Sequence, residues 1–290
     1  MLAVVEARAE RAYVPVLPAA RAVVSWMTRA ETATLELVVH TAMGTMSRPL
    51  PYAVFEPGAR ASLDGFDNVA RIATDVVTAA GEIVAIDVRA NVALDAVAVS
   101  VPVHAAAGSR ARFAGEIDVP ERAQFVAGEP ASRGWCAPAA IAMLLGATGV
   151  ERSVGDVAAA VFDRAYRGTG NWAFDVAYAA ACDRFGAVAY LRDLQSVDAL
   201  LDAGFPLAVS LAWDEGALPG APLPASDGHL VVVRGRTPGG GIVANDPAQP
   251  QVRHVYDATA FERAWLGHGG VALLVTARDR IDELVAAANG

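Results

Sequence analysis

A run without a single charge, Ala137 to Val150, follows directly on Ser132-Arg133-Gly134-Trp135-Cys136. It is too short to span a bilayer and has the length of a buried helix in a soluble domain. A chain carrying such a run has to build a core around it. Pro138 fits the first turn, where backbone amides lack intrahelical acceptors in any case. Cys136 therefore stands at a helix mouth, where the positive end of the helix dipole favours thiolate over thiol. Free cysteine is also a common small core residue. This stretch alone leaves both readings open, nucleophile or core filler.

The rest of the composition narrows the setting. A length of 290 residues suits two modest domains or one large one. With 54% hydrophobic and 19% charged residues the chain is globular and core-rich. The net charge is −9 and every basic residue is Arg, with no basic run, which excludes an electrostatic footprint for nucleic acid. Two cysteines, Cys136 and Cys182, are too few for a disulfide framework or a thiolate zinc site, so no metal and no cofactor is expected. The N-terminus carries Glu6 and Glu10 and no basic stretch before an apolar core, so no signal peptide is read there. No segment has transmembrane length, so no membrane insertion is expected. The expected location is cytoplasmic, and the composition is compatible with export too.

From about Ala22 to His104 the pattern is mostly of period two. Residues 32–40, 82–89 and 96–101 read as strands, with turn material at Glu56-Pro57-Gly58, Asp64-Gly65 and Ala80-Gly81. This predicts a small β-sandwich-like accessory domain over 1–107, and His40 and His104 in it read as surface or structural residues. Periodicity fades through 108–116, the expected linker. A second domain over 117–290 then opens with helices at Cys136, at Val154–Phe162 behind Ser153, and around Trp172–Cys182. Strands follow at 205–213, 229–234, 241–246, 251–256 and 270–277. The second domain is thus helices first and antiparallel sheet afterwards, an α+β layout.

Thr237-Pro238-Gly239-Gly240 reads as a hairpin turn between two of these strands. If it does turn there, antiparallel pairing sets His229, which opens one strand, opposite Asp246, which ends the other. An imidazole beside an orienting carboxylate can take the proton of a thiol. Cys136, His229 and Asp246 are therefore the candidate catalytic residues. An oxyanion would need donors: the Cys136 amide is one, and Gln124, the sole glutamine upstream of Cys136, is either the second or a solvated loop residue. Trp135, Trp172 and Trp213 could line a groove or fill a core. His254 and His268 are the competing bases, and neither has a carboxylate placed as Asp246 is for His229.

Several of these blocks carry a resemblance. Gly134-Trp135-Cys136-Ala137-Pro138-Ala139-Ala140, residues 170–180, Asp227-Gly228-His229-Leu230-Val231-Val232-Val233 and Val243-Ala244-Asn245-Asp246-Pro247-Ala248 resemble the C39-like peptidases, as do residues 252–256 and 261–266. The resemblance runs in order from about Val119 to Ala277 and is to the stand-alone bacterial type. It implies a papain-like fold, nucleophile Cys136, base His229 and orienting Asp246. The chain departs from the pattern in three places. Leader-processing members have Gln six residues before the cysteine, where this chain has Pro130, so Gln124 would need the intervening loop to bring it into place. They have Gly after the cysteine, where this chain has Ala137, and the stand-alone group tends to Asn where this chain has Asp175.

Three functions are compatible with the residues. The first is a thiol hydrolase cleaving peptide or amide bonds of a peptide or protein substrate through an acyl-enzyme. The second is a papain-fold binding module with weak turnover. The third is a thiol acyltransferase, which shares the acyl-enzyme and differs in the acceptor.

Overall fold

The computed structural model describes residues 1–56, 59–103 and 113–290. By contacts the chain gathers into two compact units, Met1–Val103 with Ala159–Tyr190, and His104–Ala158 with Leu191–Gly290. The division expected at 1–107, 108–116 and 117–290 follows chain order, and the contacts do not follow it, because 159–190 joins the N-terminal sheet. Within the expected linker, 108–112 lies outside the described residues, as do His104 and Pro57-Gly58 of one expected turn, whereas Gly115–Glu116 forms a short strand.

The N-terminal strands are β1 (Leu2–Met27), β2 (Ala33–Thr41), β3 (Leu50–Glu56), β4 (Ala59–Ser62), β5 (Gly65–Phe66), β6 (Ala70–Ala73) and β7 (Val76–Ser100). They make one antiparallel sheet in the order β4-β3-β2-β7-β6-β5, with β1 along β7. Leu2 and Val23 both pair with Ser100, so the two ends of β1 flank the same end of β7 and the sheet bends back on itself. Register shifts along β1, among them one between Pro15 and Ala19, supply the bend. The β-rich region is as the periodicity indicates, with two differences. Its first strand starts at Leu2, where buried Ala12 and Val14 alternate with exposed neighbours. Gly81 marks an irregularity inside β7 instead of a reversal, so 82–89 and 96–100 belong to one strand. The core of this unit surrounds Trp26, whose ring meets Tyr52 at 5.4 Å and Phe174 at 5.7 Å, both edge to face.

The remaining elements are β8 (Gly115–Glu116), α1 (Cys136–Ala147), α2 (Val154–Val161), α3 (Trp172–Ala181), β9 (Arg184–Tyr190), α4 (Leu194–Asp202), β10 (Leu207–Trp213), β11 (Ser226–Arg236), β12 (Ile242–Asn245), β13 (Arg253–Tyr256), α5 (Ala258–Gly267), β14 (Val271–Ala277) and α6 (Ile281–Asn289). The three helices expected from the sequence are α1, α2 and α3. Ser153 accepts from the Asp156 amide and Asn171 from the Phe174 amide, capping α2 and α3. Polar side chains of the first unit hold α3 and β9. Asp75 accepts from the Trp172 amide (2.9 Å), Ser25 from Val188 (2.9 Å) and Ser100 from Tyr190 (2.8 Å). These bonds cross long stretches of chain, which is why β9 and its place are invisible to local periodicity. Cys182 closes α3 and is buried, as its Ala-rich setting suggested.

In the second unit an antiparallel sheet runs β13-β12-β11-β10-β14, with β8 pairing β11. The unit is mixed helix and sheet, helices first, as expected for a papain-like layout. α1 is buried from Ala137 to Leu145, and the sheet contributes the fully buried Val209, Val231, Val232, Val243 and Leu273 to the core. No helix among the described residues is long and apolar enough to cross a membrane.

Asp163, fully buried, is the knot of the first unit. Its Oδ1 accepts from the amides of Ser62 (3.1 Å), Ala165 (2.9 Å) and Tyr166 (3.3 Å), and its Oδ2 from Asn171 Nδ2 (2.9 Å). Removing it strands two buried donors, the Ser62 amide and Asn171 Nδ2, each unmade bond costing up to a few kcal/mol. Asp163→Ala is expected to lower the unfolding free energy by about 3 kcal/mol, measured by urea denaturation, with Asp163→Asn milder.

Candidate active site

Cys136 is the first residue of α1, with the helix buried behind it. The backbone before it is set by a 3-10 turn, Pro130–Gly134, in which Trp135 N–H bonds Ser132 O at 3.1 Å. Across the other end of α1 runs the segment leading out of β8. A Cβ added to Gly146 would lie 2.4 Å from Pro120 Cγ, so only glycine lets that segment pass so close. The segment is fixed by Arg234, which donates to Ile117 O (3.0 Å) and Val119 O (3.3 Å), and by Asn245 Nδ2, which donates to Val119 O.

His229 lies on β11 opposite Leu211 of β10, buried, with the Trp213 ring edge-on to it at 5.9 Å. Its Nε2 is 2.8 Å from Asp246 Oδ1. The hairpin at 237–240 forms, with Gly240 N–H on Thr237 O, but it does not pair the two residues as simple register predicts. A shift at Arg234 moves the ladder, so that Val232 faces Asn245 and β12 ends there. Asp246 leaves the strand into a turn, with its own N–H on Val252 O (2.7 Å), and reaches back to His229 through its side chain. The proximity read from the sequence is present, by a different route.

The carboxylate of Asp246 is almost wholly buried and fully engaged. Beyond His229, Oδ1 accepts from the Ala248 amide (2.9 Å) and Oδ2 from the Tyr256 hydroxyl (2.6 Å). Burial works to raise its pKa, but the bonds from His229, Tyr256 and Ala248 outweigh it and hold it below the ordinary value. Nε2 being taken by Asp246, the other ring nitrogen of His229 is left for a second partner, and Cys136 and His229 shift each other's pKa. Burial pushes the Cys136 thiol up, yet His229 and the amides of Leu230 and Ala137 bring it below a free thiol. Burial pushes His229 down, and Asp246 and Cys136 raise it well above ordinary histidine. The two directions are those that favour a thiolate beside an imidazolium.

Gln124 is buried at the end of the same segment. Its amide N–H bonds Pro247 O (2.9 Å), next to Asp246, and its Nε2 donates to Arg133 O (2.5 Å), three residues before Cys136. The loop between them is folded by Ser132, whose hydroxyl accepts from the Val126 amide at 3.0 Å. The second Nε2 hydrogen is not used by that bond, and Oε1 is buried with no partner. Trp135 adjoins Cys136, and Trp213 packs on His229 with its Nε1 donating to Leu223 O (3.2 Å). Trp172 belongs to the other unit, at the first turn of α3. His254 packs its ring on Tyr256 at 4.6 Å, and His268 caps α5. Among the described residues no group of three or more His, Cys, Asp or Glu is placed to hold a metal ion. Tyr256 is the site residue that residue-by-residue reasoning missed. Its only signal was the inward phase of the last strand residue before Asp257.

The model of the Peptidase C39-like family matches residues 116–273. Among solved structures the chain resembles a protein described as a C39-like peptidase from Bacillus anthracis, at 17% identity and a TM-score of 0.43, over 56% of this chain and 98% of that one. It also resembles the peptidase domain of Streptococcus ComA, a bifunctional ABC transporter of a quorum-sensing pathway, at 16% identity and a TM-score of 0.39, over 57% and 96% of the two chains. No curated protein matches it.

The two cysteines should separate chemically. Iodoacetamide at pH 6 to 7 is expected to label Cys136 at least tenfold faster than buried Cys182, as a lowered thiol pKa and access dictate. In His229→Ala the labelling of Cys136 should fall at that pH and recover only toward the free-thiol range. Peptide mass spectrometry reads both sites, and equal rates for the two thiols would contradict the assignment.

Proposed function

The chain belongs to the Peptidase C39-like family, and we propose that it cleaves peptide or amide bonds of a peptide or protein substrate through Cys136, His229 and Asp246. The observation that carries this reading is the 2.8 Å hydrogen bond between buried His229 and buried Asp246, with Cys136 placed at the start of α1 where His229 lowers its thiol pKa. The Cys136 thiolate attacks the substrate carbonyl carbon, and the carbonyl electron pair moves to oxygen. The Cys136 backbone amide and the spare Nε2 hydrogen of Gln124 are the proposed donors to that oxyanion. The His229 imidazolium gives its proton to the departing amine as the C–N bond breaks, which leaves a thioester on Cys136. Neutral His229 then takes a proton from water, whose oxygen attacks the thioester; the C–S bond breaks, the carboxylic acid leaves and gives its remaining proton to solvent, and the thiolate–imidazolium pair is restored. Asp246 keeps the ring oriented and stabilises its charge. Trp135 and Trp213, beside the thiol and the imidazole, are the proposed walls of the substrate groove, and Trp172 is left without a role in it.

With a fluorogenic peptide substrate, His229→Ala should lower kcat/KM by about 10²–10⁴-fold, the usual loss for a general base. Asp246→Asn acts on pH dependence in a definite sense. Asp246 raises His229, and the imidazolium lowers Cys136. Without the carboxylate charge the imidazolium loses its proton at lower pH and the thiolate forms at higher pH. The active window should narrow from both sides while the fold, read by circular dichroism, is kept. If His254→Ala abolishes turnover and His229→Ala leaves it near wild type, the assignment fails.

Tyr256 is the proposed positioning residue for Asp246. Tyr256→Phe removes one donor to a buried carboxylate, a bond to a charged group of the stronger class. The expected result is a fall of about tenfold in kcat with KM unchanged, together with a displaced pH profile. A changed KM with an unmoved profile would instead mark Tyr256 as a packing residue.

A further inference from the structure

The first unit encloses a cavity of about 880 Å³, of the size that small-molecule sites have, between the end of β1, the β3–β4 hairpin, the last turn of α2 and the face of α3. Its apolar wall is Trp26, Phe55 and Phe162, and Ala177, Ala180 and Ala181 of α3 are too small to fill it. Phe162 is 44% exposed, a large aromatic ring at the surface.

One side chain in this wall is out of character. Arg60 lies directly opposite Phe55 in the β3–β4 ladder, so both project from the same face. Phe55 is on the core side, stacked on Trp26 at 6.5 Å. A guanidinium therefore stands on the face that carries Phe55 and Ala53, 5.7 Å from the Phe55 ring centre. Its backbone is held in place by Arg164 N–H on Arg60 O at 2.9 Å. Burial lowers its pKa, while Tyr178 and Asp175 act on it from α3 in the opposite sense. Among the described residues no carboxylate comes within 4.0 Å of it and no acceptor takes its N–H groups. The other cation of the cavity is committed, Arg29 being paired with Asp183 at 2.7 Å and facing Asp95 at 3.6 Å. Glu31 and Glu56 are exposed acids on the lining.

We propose that this cavity binds a ligand made of one carboxylate on an apolar body, the carboxylate held by Arg60 and the body by Trp26, Phe55 and Phe162. A carboxylate matches the planar fork of a guanidinium with two parallel hydrogen bonds. It would complete a partly desolvated cation that has donors to spare. Glu31 and Glu56 act against a second negative charge, which excludes di- and polyanions such as phosphates. A small carboxylic acid and the C-terminal end of an apolar peptide share this chemistry. The site is independent of the chemistry at Cys136.

Calorimetric titration of the full chain carrying Cys136→Ser, which prevents turnover of the probes, tests the proposal. Hydrocinnamate is compared with its amide, and N-acetyl-Leu-Phe acid with its amide. Each acid should bind at least about tenfold tighter than its amide, the usual worth of a charge-assisted bond, and added salt should weaken only the acids. A peptide acid at least tenfold tighter than hydrocinnamate identifies a peptide terminus as the ligand, and near-equal affinities identify small acids. Arg60→Met should abolish the preference for acid over amide. Where that variant does not fold, Arg60→Lys, which keeps the charge and loses the fork, should reduce it. Acid and amide binding alike, or neither binding at millimolar concentration, overturns the proposal.

Discussion

A carboxylate buried at Asp246 is the constraint on which the second unit turns. An ionised acid taken out of water is costly unless its lone pairs are met by donors. Here three donors come from three places: His229 from β11, the Ala248 amide from the turn that follows, and Tyr256 from β13. Meeting them together fixes where β12 ends and how the next turn folds. It fixes the tilt of the imidazole toward α1 as well. The buried helix α1 carries the thiol at its first residue, and the opposing effects of burial and of each group on the other lower the Cys136 pKa and raise that of His229. Packing and acid–base state are one arrangement in this site.

The same device recurs in the first unit without an evident reaction attached to it. Asp163 gathers three amides and the Asn171 side chain, and Asp75 holds the first turn of α3. Because Ser62 donates across to Asp163 and Trp172 across to Asp75, 159–190 is stitched into the N-terminal sheet although it falls within the span matched by the family model. Arg60 differs from them, since it lines a cavity and meets no acceptor among the described residues.

The positions of the candidate site's residues were legible in the chain, because they sit at places that sequence marks well. Cys136 stands at the junction of a turn and a charge-free run, His229 at the start of an apolar strand, and Asp246 at the end of one. The route between the last two was not legible. A register shift at Arg234 and a reach by the Asp246 side chain replace simple cross-strand pairing, and a shift of this kind leaves no trace in alternation. Gln124 was visible only as the sole upstream glutamine. The 3-10 turn and the Ser132 hydroxyl that draw it against Arg133 depend on tertiary closure.

By itself the sequence determined what short-range physics controls: strand phases in the N-terminal region, the capped helices α2 and α3, the buried α1 and the order of helices before sheet. It also placed a thiol, an imidazole and a carboxylate where such elements begin and end. The tertiary structure alone decided which segments pair over long separations. It bent β1 around β7, assigned α3 and β9 to the first unit, gave Asp246 its third donor in Tyr256 and turned Arg60 inward beside Phe55. Hydrogen bonds and contacts between residues far apart in the chain select among local patterns that are each acceptable alone, and no window of neighbouring residues contains that information.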